Sequence, residues 1–331
     1  MKNRSTFKAL RVEEVNGNYT TSIKDMPFEP LNKGEVLIKV DYSSLNYKDA
    51  LSTIGNKGVT KNYPHTPGID AAGIVESSES ELFKAGESVI VTSYELGMNH
   101  PGGFAEFIKV PESWIVSMPE KMTATQAMKY GTAGFTAALS VYRLLKNGQK
   151  PEMGPVVVSG ALGGVGSIAC QLLNKLGFKV TAANYELADV SEIRRIGAHS
   201  QIDRNVSDDN SNRPMLKTQW AGAIDVVGGN TLTTLLKGCN PLGSVTTCGN
   251  IGSGDLNMTV YPFILRGVSL LGIDSQNCPM KIRQIVWDLL ADDWSLEFDS
   301  DLIKEATLES LKTYIELMLD KKSKGRVIVK L

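Results

Sequence analysis

Thiols and imidazoles are scarce in this chain: 331 residues hold four cysteines (Cys170, Cys239, Cys248, Cys278) and three histidines. No cysteine precedes Cys170 and none forms a C-x-x-C pair. A four-thiolate zinc centre in the first half is thereby excluded, and a disulfide framework is not indicated in a chain of this length. The cysteines read as small buried hydrophobes in a reducing compartment. His65 in NYPHTPGID and His100 in GMNHPGG read as exposed loop histidines, so no metal is expected. Long apolar runs are also lacking, and MKNRSTFKALRVEE has no apolar centre, which points away from a membrane span or signal peptide and toward the cytoplasm. Charge of either sign is not in excess: 35 Lys and Arg face 36 Asp and Glu, for a net charge of −1. Neither nucleic acid nor an anionic membrane is an expected partner.

What is present is an ordinary globular composition, 42% hydrophobic, in a chain long enough for two domains. Up to about residue 124 the texture is β-rich: EVLIKVDYSSL, AAGIV, ESVIVTSY and AEFIKV are short Val, Ile and Tyr runs between turn residues. From about 125 strands and helices alternate, the pattern of a doubly wound parallel sheet. TATQAMKYGTAGFTAALSVYRLL predicts two helices broken near Gly131–Thr132. VVVSG, FKVTAAN, SQIDR, GAIDVVG, GSVTTCG and VSLLGID predict six strands. The helix LESLKTYIELML and a terminal strand, RVIVKL, have no place in that sheet and are free to return to the first domain. The predicted domains are 1–124 with 296–331, and 125–295.

The first of the six strands runs into VVVSGALGGVGSIAC, with four glycines in seven residues. Two registers of a dinucleotide turn are open: Gly164, Gly166, Ala169 or Ala161, Gly163, Gly166. The second places the turn directly after the strand and is preferred. A helix from about Gly164 to Leu176, with Ile168, Leu172 and Leu176 on one face and Gly177 as its cap, would aim its N-terminal amides at a phosphate. Strand, turn, helix and strand follow in order within about 30 residues, as such a site requires. At the end of the next strand stand Asn184, Tyr185 and Glu186. An acid there accepts from the ribose 2′-OH of NAD, and a positive group accommodates the NADP phosphate. Glu186 also fits the first turn of the following helix, and Arg204 is placed to reach the adenosine end. The residues alone leave the cofactor open.

HTPGIDAAGIV, GGFAEF, GTAGFTA and the glycine turn together resemble the medium-chain dehydrogenase/reductase superfamily. SSLNYKDAL, WAGAIDVVG and YPFILRGVSLLGIDS narrow the resemblance to the zinc-free quinone oxidoreductase branch, and within it to the acrylyl-CoA reductase-like group. The resemblance covers the whole chain. It implies a GroES-like β domain, completed by the C-terminal tail, plus a Rossmann domain. Zinc-dependent members carry cysteine where this chain has Asn46, and Gly-His-Glu where it has Gly68-Ile69-Asp70. The resemblance implies nucleotide contacts from Tyr47, Leu162, Gly163, Gly164, Val165, Gly166, Asn184, Tyr185, Glu186, Arg204, Asn250, Ile264, Ser275 and Arg326. It implies NADPH, although relatives often carry a basic sequence such as Ser-Gly-Arg where Asn184-Tyr185-Glu186 stands, so NADH stays open.

The chemistry so implied is hydride transfer from NAD(P)H to an activated C=C bond, of acryloyl-CoA or enone type, or to a quinone. Tyr47 is the candidate for contacting the nicotinamide and relaying a proton; it reads equally well as a buried aromatic tied to Asp49 or backbone. Asn46 and Lys48 are placed to orient substrate, and Asp49 to form an ion pair. KKSKGR (321–326) reads as a solvated loop sooner than as a binder of CoA phosphates. The alternative of another class is a structural or regulatory protein that binds nucleotide without turnover. The sixth strand, apolar and at a sheet edge, predicts a homodimer.

Overall fold

A computed structural model describes residues 5–320, 322, 323 and 325–331. Lys321 and Lys324 of the KKSKGR cluster, and the first four residues, lie outside the described residues. The chain forms two compact units, Met1–Thr132 with Gln276–Asp292 and Phe298–Leu331, and Ala133–Ser275 with Asp293–Glu297. Among the described residues no helix is long and apolar enough to cross a membrane.

The first unit begins with a hairpin of β1 (Thr6–Val15) and β2 (Asn18–Pro27). Its two-residue turn is Asn16-Gly17, at φ 52° and 78°. Both residues are left-handed, the geometry that matches strand twist and that Asn-Gly adopts readily. The strand periodicity read above passes over this hairpin, although the dipeptide announces it. β3 (Glu35–Ser44), β4 (Asp70–Ser78), β5 (Ser88–Thr92), β6 (Phe107–Pro111) and β7 (Ile115–Ser117) follow. On β3, Val36, Ile38 and Val40 are buried with Val75, Val89, Val91, Ile108 and Val110 in one core, the period-two burial expected of a sheet face. Each such side chain contributes about 1.5–3 kcal/mol by leaving water.

The second unit carries β8 (Val156–Ser159), β9 (Val180–Ala183), β10 (Ser200–Ile202), β11 (Trp220–Asp225), β12 (Cys239–Thr247) and β13 (Ser269–Gly272). They are parallel throughout, in the order β10-β9-β8-β11-β12-β13. That is the doubly wound Rossmann order, whose chain reverses direction across the sheet between β8 and β11. Every residue of β8 and β11 is buried, as central strands covered on both faces must be.

The tail then returns to the first unit. β14 (Ile303–Ala306) runs parallel to β15 (Arg326–Lys330), and β15 pairs antiparallel with Tyr42–Ser44 of β3. The terminal strand thus completes the first sheet, in the order β14-β15-β3-β4-β5-β7 with β6 also on β3. Leu45, Phe104, Leu311, Ile315, Val327 and Val329 form a second core. Of the four cysteines, all free, Cys170, Cys239 and Cys278 are buried, whereas Cys248 is only half-buried at the end of β12.

Candidate functional site

In the second unit the strand β8 delivers the chain into a turn at Gly160, whose φ is 57°. The left-handed residue is therefore Gly160, and Ala161 behind it is fully buried with no special backbone. The preferred register is corrected by one position in its first member, because the tight turn falls one residue earlier than the motif alignment implied. The helix Gly164–Lys175 starts from Gly163, with Gly177 left-handed past its end. A Cβ on Gly166 would stand 2.2 Å from the Gly160 carbonyl oxygen and 2.8 Å from the Ala161 Cα. Glycine here lets the helix lie against the turn. The first helical amides, from Gly164, Val165 and Gly166, have no acceptor within the helix, and its dipole adds partial positive charge there.

The same end of the sheet is braced by an acid that the sequence reading did not single out. Asp225, last residue of β11, accepts from Ser159 Oγ (2.7 Å), Thr247 Oγ1 (3.1 Å) and the Gly228 amide (2.9 Å). Burial pushes its pKa up, against the pull of the Ser159 hydrogen bond and the backbone amides. It ties the ends of β8, β11 and β12 together at the point where the sheet order reverses. An acid ending the otherwise apolar run WAGAID was the available signal.

At the end of β9, Asn184 Oδ1 accepts the Leu162 amide at 3.3 Å, joining two of the predicted residues. Its Nδ2 is buried and, among the described residues, has no hydrogen-bond partner. Tyr185 is 72% exposed and its ring packs 4.7 Å from the guanidinium carbon of Arg204. Glu186 is exposed in a loop, and the next helix starts only at Val190. Glu186 is thus not the first-turn acid of that helix, because the chain needs further residues to turn before the helix begins. Asn250 stands beside Gly228, whose added Cβ would meet its Cα at 3.2 Å. Ile264 is exposed on the helix Tyr261–Arg266, and Ser275 Oγ takes a 2.8 Å hydrogen bond from Thr136.

In the first unit a buried polar centre surrounds Asp70. Its carboxylate accepts from Ser44 Oγ (2.6 Å), Asn46 Nδ2 (2.7 Å), the Thr132 amide (2.9 Å) and Thr132 Oγ1 (2.6 Å). Arg326 is buried and donates to Ser44 Oγ, Asn46 Oδ1 and the carbonyls of Leu45 and Lys129. This geometry explains the predicted helix break. Gly131 is left-handed at φ 52°, and a Cβ there would lie 2.4 Å from Ser44 Oγ and 2.5 Å from Asp70 Oδ2. The break turns Thr132 toward Asp70.

Asp49 corrects its predicted ion pair. It accepts the amides of Asn46 (2.8 Å), Gly68 (3.0 Å) and Ile69 (2.9 Å), fully buried. Burial first, and then the charge of Asp70, push its pKa up to about 7. Tyr47, next to Asn46, is 43% exposed, which removes the buried-aromatic reading. Lys48 Nζ donates to Gln276 Oε1 at 2.7 Å. The histidines differ from their expected exposure. His65 is buried, bridged to Val12, and burial lowers its pKa to about 4. His100 is half-buried against Trp114.

The residues at the family's zinc positions do not fit a zinc ion. Asn46 is an amide already bonded to Asp70, and the lone pairs of Asp70 face four donors. Among the described residues no group of three or more His, Cys, Asp or Glu is placed to hold a metal. The cradle does fit a dinucleotide, through the glycine packing and the orphaned Asn184 amide.

Residues 32–120 match the family model described as alcohol dehydrogenase GroES-like domain, and residues 164–292 the one described as zinc-binding dehydrogenase. The chain is 45% identical to the putative quinone oxidoreductase YhfP of Bacillus subtilis over 98% of its own length and 99% of that protein's. The solved structure of YhfP has NAD bound and superposes with a TM-score of 0.94, over 99% of this chain and 100% of that one. Identity to the probable acrylyl-CoA reductase AcuI of Escherichia coli is 40%, over 98% and 99% of the two chains. The Salmonella enterica yhdH oxidoreductase, solved in complex with NADP, is 39% identical with a TM-score of 0.93, over 98% and 99% of the chains.

Proposed function

Because the chain belongs to the medium-chain dehydrogenase/reductase superfamily, in its zinc-free quinone oxidoreductase and acrylyl-CoA reductase group, it is a hydride-transferring oxidoreductase, and we propose NADPH as its donor. The acceptor in this reading is an activated C=C bond of acryloyl-CoA or enone type, or a quinone. The observation that carries it is the cradle: a glycine-packed helix N-terminus beside a buried, unpartnered Asn184 Nδ2. When bound, the nicotinamide supplies the hydride. The amides of Gly164, Val165 and Gly166 would hold the pyrophosphate, and Asp225 keeps the strand ends that would frame it in place. Asn184 and Arg204 would hold the ribose 2′ end. Tyr47 would contact the nicotinamide and supply the proton to the reduced carbon or oxygen, so that one hydride and one proton would complete the reduction of the acceptor. The Asp70 centre fixes Asn46 beside Tyr47 without a metal.

The test is NADPH and NADH, each against acryloyl-CoA, crotonyl-CoA, small quinones and enones. NADPH oxidation is expected, with a kcat/KM preference over NADH below about tenfold, since Glu186 puts an exposed acid just past the end of β9. Glu186→Arg should raise that preference severalfold, and an unmoved ratio removes Glu186 from the 2′ end. Tight nucleotide binding with no turnover on any acceptor would return the protein to the structural or regulatory class.

The reading includes a homodimer. β13 is an edge strand, paired among the described residues with β12 alone. The neighbouring helix leaves Tyr261 and Leu265 exposed. Pairing of two β13 strands about a two-fold axis would close that edge. Light scattering at micromolar concentration should return twice the chain mass; a monomer mass refutes the assembly.

A further inference from the structure

We infer that Asp208 is a positioning residue that sets the balance between NADPH and NADH by capturing Arg204. This rests on the placement of Arg204 at the ribose 2′ end. Arg204 opens the short helix Arg204–Ser207, whose start is capped by Asp203 through the amides of Asn205 and Val206. One turn on, Asp208 Oδ2 accepts Arg204 Nε at 2.9 Å. The carboxylate does not swing freely. Its Oδ1 accepts Thr231 Oγ1 at 2.8 Å, and its amide is tied to the Arg204 carbonyl at 2.8 Å. Asp208 is accordingly 17% exposed while Arg204 is 54% exposed, so the fixed partner is the acid and the held partner the base. The guanidinium also lies on the Tyr185 ring, and the Asp208 hydrogen bond, ahead of the Tyr185 charge, raises its pKa.

The consequence follows from guanidinium chemistry. Arginine grips a phosphate best with two parallel N–H groups, either Nε with one Nη or the two Nη together. With Nε held by Asp208, the side-on grip through Nε is closed. The neighbouring Asp209 does not add to this, because Lys237 binds it at 2.6 Å. Glu186, exposed beside Tyr185, is a further acid of the corner, along with Asp203, whose carboxylate is engaged by the Asn205 and Val206 amides. Arg204 therefore brings little net positive charge to a 2′-phosphate, whereas a ribose 2′-OH needs none. The ion pair itself is exposed enough to contribute little to stability, so releasing it frees Arg204 without unfolding the corner.

The experiment is calorimetric titration of the full chain with 2′,5′-ADP and with 5′-AMP, on Asp208→Asn, Arg204→Gln and the double variant. Asp208→Asn keeps an oxygen for Thr231. Its Kd for 2′,5′-ADP should fall about fivefold at low salt, with 5′-AMP unchanged. The NADPH-to-NADH ratio of kcat/KM should rise equally, through KM, and Asp208→Glu should restore the wild-type ratio. In the Arg204→Gln background the same change should move binding less than twofold, because Asp208 acts through Arg204. A gain that persists without Arg204 overturns the inference, since direct repulsion would then explain it. So does an unmoved Asp208→Asn variant when Arg204→Gln weakens 2′,5′-ADP. If Arg204→Gln leaves 2′,5′-ADP binding unchanged, the placement of Arg204 fails first and the inference goes with it.

Discussion

Gly166→Ala is expected to weaken dinucleotide binding by a hundredfold or more. The added Cβ would lie 2.2 Å from the Gly160 carbonyl oxygen and 2.8 Å from the Ala161 Cα, both backbone atoms with no flexible end to move aside. The helix Gly164–Lys175 must shift away from the turn, and its first amides shift with it. Loss of two hydrogen bonds to an anion, at about 1.5–3 kcal/mol each, accounts for about a hundredfold at the least. Calorimetry with NADPH measures the loss, and circular dichroism shows whether the fold survives. Gly177→Ala is the control. Gly177, unlike the helical Gly166, is left-handed, at φ 82°, but an added Cβ meets nothing within 4 Å. That variant should lose about 1 kcal/mol of stability and keep its NADPH affinity. A Gly166→Ala protein that binds within threefold of wild type would sink the cradle reading.

The second large effect is on stability. Asp70→Ala removes the acceptor of four hydrogen bonds and leaves the buried Arg326 guanidinium without the Asp70 charge. Breaking a buried charged network in this way costs about 3–5 kcal/mol. Denaturant unfolding should show it, and a loss below 1 kcal/mol would mean that the centre is not held by Asp70. Asp70→Asn adds a pH signature. Asp49, raised to about 7 by burial and by Asp70, keeps its proton in the folded chain after the unfolded chain has lost it. Its contribution to stability is therefore full below about pH 4 and is lost as pH rises toward 7, at up to about 1.4 kcal/mol per unit. Removing the Asp70 charge brings the Asp49 pKa down and should flatten that slope. An unchanged slope would separate the two carboxyl groups.

Much of the cradle was legible because its logic is local. A four-residue apolar strand, closely spaced glycines and an amphipathic helix ending before Gly177 are all set by backbone conformation and periodicity within about 30 residues. The broken helix at Gly131 was legible for the same reason, as a glycine inside an apolar helical pattern. Its purpose was not. The break lets Thr132 reach Asp70 without a side chain colliding with Ser44. His65, set between turn residues, looks exposed in sequence and is buried because the β1 strand bridges to it at Val12.

The sequence by itself determined the two-domain texture, the alternation of strands and helices in the second domain, and the presence of a dinucleotide turn. Periodicity, glycine geometry and residue chemistry are properties of short stretches, so no distant contact is needed to read them. Only the tertiary structure decided that Gly160 makes the tight turn. It alone paired Arg326 with Ser44 and Asn46, braced three strand ends on Asp225, and closed Arg204 between Tyr185, Asp208 and a carboxylate anchor on Thr231. Apart from the Arg204–Asp208 pair, which is one helical turn long, those are contacts between polar side chains far apart in the chain. Their partners are chosen by which groups the packed backbone buries together, and burial makes each one take the nearest hydrogen-bonding match.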